Sequence, residues 1–210
     1  MCSIIGAYKH EDVKQLVELN QFRGNFSHSI TTITDSLDVI QQEKGFGPFN
    51  YDLLTSDENY HICHVQAPTG GLVKDINRIH PVREGSDMLW HNGLLTSRGV
   101  KLLQTKLNTE ETFDTLLLFK AIKQFGFDIL SEIEGLFSCV LILNHKLYMF
   151  RTKHGKLHID DQLNISSERF KGAKCINFDT IYEVDFENSS IIPVNSFKTK
   201  RFNIIVDGEY

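Results

Sequence analysis

The chain begins Met1-Cys2-Ser3-Ile4-Ile5-Gly6-Ala7-Tyr8. The run from Ser3 to Tyr8 is short and mostly apolar, and it stops at the polar group Lys9, His10, Glu11 and Asp12. That pattern predicts a strand. A small residue after the initiator generally permits removal of Met1, which leaves Cys2 as the mature N-terminus. A terminal cysteine carries a thiol and an α-amine on one residue. With an ordinary α-amine pKa of about 7.7–8.0, the amine can take the thiol proton, directly or through water, and so activate the nucleophile. A cysteine at position 2 taken alone is more often without chemistry, so its weight depends on the rest of the chain.

Beyond this strand, Glu11 to Phe22 carries Val13, Leu16, Val17 and Leu19 at helical spacing,. Extended segments are predicted at Ile30 to Ile33, Tyr60 to Val65 and Met88 to His91. A second helix is predicted from about Thr112 to Phe125, with Phe113, Leu116, Leu117 and Phe125 inward. From Gly135 the signal is mostly β: Phe137 to Leu143, Leu147 to Arg151, Leu163 to Ser166, Ile181 to Phe186 and Ile191 to Val194. Asn144-His145 reads as a hairpin turn. Many strands with about three helices, helices early and strands late, favour layered α+β over a repeating βαβ pattern. No repeat, low-complexity stretch or Pro/Gly-rich linker divides residues 1–210, so a single domain is expected.

Composition excludes several classes. Of 210 residues, 41% are hydrophobic and 23% charged, the balance of a globular chain,. Lysine plus arginine number 22 against 27 acidic residues, a net charge of −5 that argues against a general nucleic-acid backbone binder,. The longest apolar run, Leu136 to Leu143, is strand-sized and far short of a membrane span. No secretory h-region follows Met1, and the expected compartment is the cytoplasm. The cysteines Cys2, Cys63, Cys139 and Cys175 form no CxxC pair, and the last three read as small core hydrophobes. His61 and His64 would face opposite sides of a strand, which argues against joint metal ligation. Gly45-Phe46-Gly47-Pro48 reads as a turn. No GxxxxGK[ST] and no Ser-Gly-Gly-x-Asp loop occurs, and neither cofactor nor metal is expected.

Several ordered segments share one resemblance. Cys2-Ser3-Ile4-Ile5-Gly6 resembles the Cys-Gly-Ile-x-Gly start of class II glutamine amidotransferases, the glutaminase domains of asparagine synthetases and glucosamine-6-phosphate synthases. Arg23-Gly24 resembles their Arg-Gly pair. The segment from Ile62 to Gly71 resembles the strand and loop ending in Thr-x-Gly. Asn77 to Val82 and Trp90-His91-Asn92-Gly93-Leu94 resemble their His-Pro turn and His-Asn-Gly motif. Phe113-Asp114-Thr115 is similar to a Ser-Asp-Thr segment opening a helix. Glu134 to Cys139 resembles a Gly-x-Phe-x-x strand, and Leu147 to Gly155 the following strand and arginine-containing turn. Ile165-Ser166-Ser167-Glu168 is similar to the family's Ala-Ser-Glu.

The resemblance implies an αββα sandwich, two stacked antiparallel sheets flanked by helices, with N-terminal-nucleophile chemistry. Cys2 would attack the side-chain amide of glutamine, form a γ-glutamyl thioester and release ammonia. Asn92 and the backbone N–H of Gly93 would hold the oxyanion. Read alone, Asn92-Gly93 is instead a strong type I′ hairpin signal. Asp114 would bind the substrate α-ammonium; a carboxylate in a first helical turn also has a purely structural reason to be there. Thr69 and Gly71 would shape the substrate loop, and Arg23 would order the site. Two positions depart from the pattern. Ser3 replaces a glycine and adds a side chain next to the nucleophile. Gln66 stands where the family has the arginine that clamps the substrate α-carboxylate, and an amide cannot make that bidentate ionic contact. Arg23, Arg78 or Arg83 could substitute, affinity for free glutamine could be weak, or the substrate could be another amide.

The implied activity is glutamine hydrolysis to glutamate and ammonia. With the sequence ending at Tyr210, the expectation is a stand-alone glutaminase subunit passing ammonia to a synthase partner in trans. The alternatives are an N-terminal-nucleophile hydrolase of another amide and a catalytically degenerate binding or regulatory module.

Overall fold

A computed structural model describes residues 2–54, 56–67 and 74–200. Thr69 and Gly71 lie outside the described residues. Among the described residues, thirteen strands form two antiparallel sheets. In chain order they are β1 (Ser3–Ala7), β2 (Ser27–Ile33), β3 (Val39–Phe46), β4 (Tyr60–Gln66), β5 (Val82–Glu84), β6 (Asp87–Leu95) and β7 (Gly135–Leu143). They continue as β8 (Lys146–Arg151), β9 (His158–Ile159), β10 (Ile165–Ser166), β11 (Lys174–Cys175), β12 (Thr180–Asp185) and β13 (Ser190–Ser196). The first sheet runs β11-β9-β10-β1-β4-β2-β3 and the second β13-β12-β8-β7-β6-β5. The α-helices are α1 (His10–Asn20), α2 (Ser97–Leu107) and α3 (Asp114–Phe125).

Strand alternation explains the layering. On β1 and β4, Ile4, Tyr60 and Ile62 point into the space between the sheets, where they meet Met88 and Trp90 of β6 and Val140 and Ile142 of β7,. Their neighbours Ile5, Ala7, Cys63 and Val65 point the other way and pack on Val13, Leu16 and Val17 of α1. On the second sheet, Leu89, Cys139, Leu141 and Phe150 face Leu103 of α2 and Leu117, Leu118, Phe119 and Ile122 of α3. The result is helix, sheet, sheet, helix: the αββα sandwich.

One local expectation holds in the structure and several change. Asn144 and His145 have φ of 52° and 56°, the backbone a type I′ turn requires, and they join β7 to β8,. Asn92-Gly93, by contrast, lies inside β6, opposite Ser138 and Phe137 of β7. It is no hairpin. The first helix ends at Asn20, and a single 3₁₀ turn covers Gln21–Arg23, leaving Leu19 and Phe22 exposed. Phe125 is also exposed rather than inward, because it occupies the last turn of α3 before Gly126 ends the helix, where Lys106 lies over its ring. Cys175 is exposed as well. It sits on β11, a two-residue edge strand whose outward positions no described layer covers.

Candidate active site

β1 is a central strand of its sheet, paired with β4 on one side and β10 on the other. This arrangement delivers Cys2, just ahead of β1, to the end of the inter-sheet space. Cys2 is buried, with its thiol 3.8 Å from the carbonyl oxygen of Ala67 just beyond β4. Burial pushes the thiol pKa up to about 11; Arg23 pulls it down and Asp114 pushes it further up,. At neutral pH the sulfur therefore carries its proton, and nucleophilic chemistry there needs a base to remove it.

Ser3 does not crowd Cys2. Strand alternation turns it to the opposite face of β1, where its side chain is fully buried,.

Arg23-Gly24 comes close to the same place. Gly24 passes so near β4 that an added Cβ would lie 2.3 Å from Ala67 N and 2.4 Å from Gln66 C, which only glycine tolerates. Arg23 is buried and ion-paired with Glu168, its Nε donating to Glu168 Oε1 at 2.6 Å. The pair ties the 21–23 turn to the segment after β10.

Asn92 projects from β6 toward β1. Its Nδ2 donates to Ser167 Oγ at 3.0 Å, and that same oxygen accepts the backbone N–H of Ile4 at 2.9 Å. The backbone N–H of Ser167 returns a bond to the carbonyl of Ile4 at 3.0 Å. One hydroxyl thus links the strand after Cys2 to the amide of Asn92. The Ser167 bond uses one amide N–H and fixes the amide plane, and the second N–H has the chemistry to meet an oxyanion. Gly93 has φ of 148°, and a Cβ there would fall 1.9 Å from the carbonyl oxygen of Leu136. Close packing of β6 on β7 thus demands glycine independently of any catalytic role.

Asp114 opens α3. Its carboxylate accepts the backbone N–H groups of Leu95, at 3.2 Å, and Thr115, at 2.8 Å. These bonds aim it at the end of β6 that holds Asn92 and Gly93. Beneath lie three buried histidines, His64, His80 and His91, held below their ordinary pKa chiefly by burial. His64 packs on His80 with ring centroids 4.1 Å apart. His61 turns to the other face of β4 and meets Thr32 Oγ1 at 2.9 Å, as the odd spacing from His64 requires. Among the described residues no group of three or more His, Cys, Asp or Glu is arranged to hold a metal ion.

Gln66 ends β4 with its Oε1 accepting from Ser27 Oγ at 3.2 Å. Of the three arginines that could take over its cationic role, Arg23 is engaged with Glu168. Arg83 bonds the carbonyl of Gly85 at 2.7 Å and Gln42 Oε1 at 3.3 Å. Arg78 lies over the Phe113 ring and 3.4 Å from Thr112 Oγ1, on the residues that lead into Asp114. Ser167, Glu168, His80 and Thr115 stand inside the sequence motifs, yet nothing local to them signals a role. Their partners are distant along the chain, and only the fold brings them together.

No protein-family model matches this sequence, and no curated protein matches it. Among solved structures, a glutamine phosphoribosylpyrophosphate amidotransferase from B. subtilis, complexed with ADP and GMP, superposes with a TM-score of 0.69 at 16% identity, over 93% of this chain and 49% of that one. A second structure, described as the allosteric regulatory enzyme of purine biosynthesis, gives a TM-score of 0.67 at 21% identity, over 98% of this chain and 50% of that one. This chain spans about half the length of the structures it matches. Its four-layer αββα sandwich is the fold found in the matched half of those enzymes.

Proposed function

We propose that the chain is a glutaminase of the class II amidotransferase type, releasing ammonia from glutamine through a thioester on Cys2. The observation that carries this reading is the double bond-acceptance of Ser167 Oγ, which joins Ile4 and Asn92 and so fixes nucleophile strand and amide donor relative to each other. Once Met1 is removed, the α-amine of Cys2 is the base in reach of its thiol. It takes the proton as sulfur attacks the amide carbon. The tetrahedral oxyanion is held by Asn92 Nδ2–H and the Gly93 N–H. The protonated amine then gives its proton to the departing nitrogen, which leaves as ammonia. Water hydrolyses the thioester to glutamate by the reverse sequence. Asp114 holds the substrate α-ammonium, and Thr69 and Gly71 are assigned to substrate binding on their sequence motif alone. The whole of residues 1–210 serves as one glutaminase domain, acting in the cytoplasm and handing ammonia to a synthase partner in trans.

Gln66 favours one second reading, hydrolysis of an amide that lacks the α-carboxylate of free glutamine. Ammonia release from glutamine, with and without candidate synthase partners, separates the two. The glutaminase reading expects turnover that vanishes in Cys2→Ala. No turnover under any of these conditions, with release from another primary amide, would replace it.

A further inference from the structure

We propose that Thr115 is a positioning residue whose hydroxyl, through two neutral histidines, locks the Asp114 carboxylate to the strand that carries Asn92; the proposal rests on the glutaminase reading. Thr115 Oγ1 lies 2.9 Å from His80 Nε2, 2.9 Å from His91 Nδ1 and 3.4 Å from Asp114 Oδ1. All of this is inside the protein: Thr115, His80 and His91 are each at most 4% exposed.

A threonine hydroxyl has one proton and two lone pairs, so its three partners cannot be assigned freely. His80 Nδ1 and His91 Nε2 have no hydrogen-bond partner among the described residues. A buried, unpaired N–H is worse tolerated than an unpaired lone pair. The ring protons therefore sit on the paired nitrogens, and both His80 Nε2–H and His91 Nδ1–H donate to Thr115. The hydroxyl proton is left for the Asp114 carboxylate, which can only accept.

His64 completes the set. Its Nε2 meets the carbonyl oxygen of His91 at 3.3 Å, so that nitrogen must carry the proton, and its Nδ1 has no partner among the described residues. Lys44 Nζ then holds the loop of His80 by donating to the carbonyls of Ile79 at 2.6 Å and Pro81 at 2.7 Å. One oxygen thereby sets both the start of α3 and residue 91, the neighbour of Asn92. Asp114 and Asn92 share that anchor, so loss of the hydroxyl displaces the ammonium site and the oxyanion donor together.

The test uses imidazole ¹⁵N NMR on the full chain together with glutamine turnover. Wild type is expected to show Nδ1–H at His91 and Nε2–H at His80 and His64. The opposite tautomer at His80 or His91, or an imidazolium at neutral pH, overturns the proposal. Thr115→Val keeps the shape without the hydroxyl, and kcat/KM for glutamine should fall by about tenfold or more, with KM raised and kcat lowered. Thr115→Ser, which keeps the hydroxyl, should stay close to wild type. Wild-type kinetics in Thr115→Val, or a Thr115→Ser protein as impaired as the valine variant, would overturn it. If Thr115→Val does not fold, the wild-type tautomers and the serine variant still decide. A wild-type protein inert toward glutamine both alone and with candidate synthase partners defeats the glutaminase reading, while the tautomer pattern separately decides the hub.

Discussion

Replacing Ser167 with alanine removes one oxygen and two hydrogen bonds. The donors left behind are the backbone N–H of Ile4 and the Nδ2 of Asn92, both buried. An unsatisfied buried donor costs about 1–3 kcal/mol. The Ile4 N–H is fixed in the strand and bears the full loss, whereas the Asn92 side chain can turn and recover part of it. The expected destabilisation is about 2–4 kcal/mol, or about 5–15 °C in Tm for a domain of this size. Turnover should also fall, because Asn92 loses the bond that fixes its plane. Complete removal of an oxyanion donor costs about 10²–10³ in kcat, and an unmoored donor should lose about 10–100-fold. Ser29→Ala is the matched control, since Ser29 is equally buried but its Oγ has no partner among the described residues. It should be nearly neutral. Urea denaturation and an ammonia-release assay on the folded protein read both effects. If Ser167→Ala unfolds at the wild-type midpoint, or turns over glutamine at the wild-type rate, the linkage through this hydroxyl is wrong.

Two further expectations concern pH and substrate recognition. His64 is held down to about 3 by burial against an ordinary 6.5, so below pH 6.5 the unfolded chain binds a proton that the folded chain refuses. Stability present above that pH is lost as pH falls, by about 2 kcal/mol between pH 7 and pH 5 from this one group. His80 and His91 act in the same direction. Urea titrations at the two pH values should show a smaller loss in His64→Gln, and equal losses in both proteins would contradict the burial argument. Gln66→Arg restores a planar cation beside Ser27 and should lower KM for glutamine with kcat less changed. Unchanged KM, with Gln66→Lys equally silent, would move attention to Arg78.

Legibility in the sequence tracks the range of the interactions. The Asn144-His145 turn and the opposite faces of His61 and His64 on β4 are local patterns, and the residues themselves announce them. β3 gives no strand signal because its sequence, Val39 to Phe46, is polar and half-exposed, as suits an edge strand,. The expected count of about three helices holds, but α2 has no range in the sequence expectation, although Thr96 caps it, accepting Gly99 N–H at 3.1 Å, and Val100, Leu103 and Leu107 recur at helical spacing,. Asn92-Gly93 shows the limit of a local rule: the dipeptide satisfies the hairpin signal, but tight packing against Leu136 and Phe137 is what demands its glycine. Cys175 reads as a core residue in the sequence because nothing in its neighbours signals a two-residue edge strand. The supporting contacts were beyond reach for a different reason. Ser167 meets Ile4 across 163 positions and Asn92 across 75, and Arg23 meets Glu168 across 145. Only the paired sheets create those meetings.

Labelling with an electrophilic glutamine analogue, followed by peptide mass mapping, tests the identity of the nucleophile most directly. Cys63 and Cys139 are fully buried, with burial raising both thiols, while Cys175 is exposed, so a Cys175→Ser background removes the accessible competitor. The predicted result is one label per chain, on Cys2 at the mature N-terminus, blocked by excess glutamine and accompanied by complete loss of ammonia release. Labelling of Cys63 or Cys139 instead, or ammonia release that survives full modification of Cys2, would contradict the assignment of Cys2 as nucleophile.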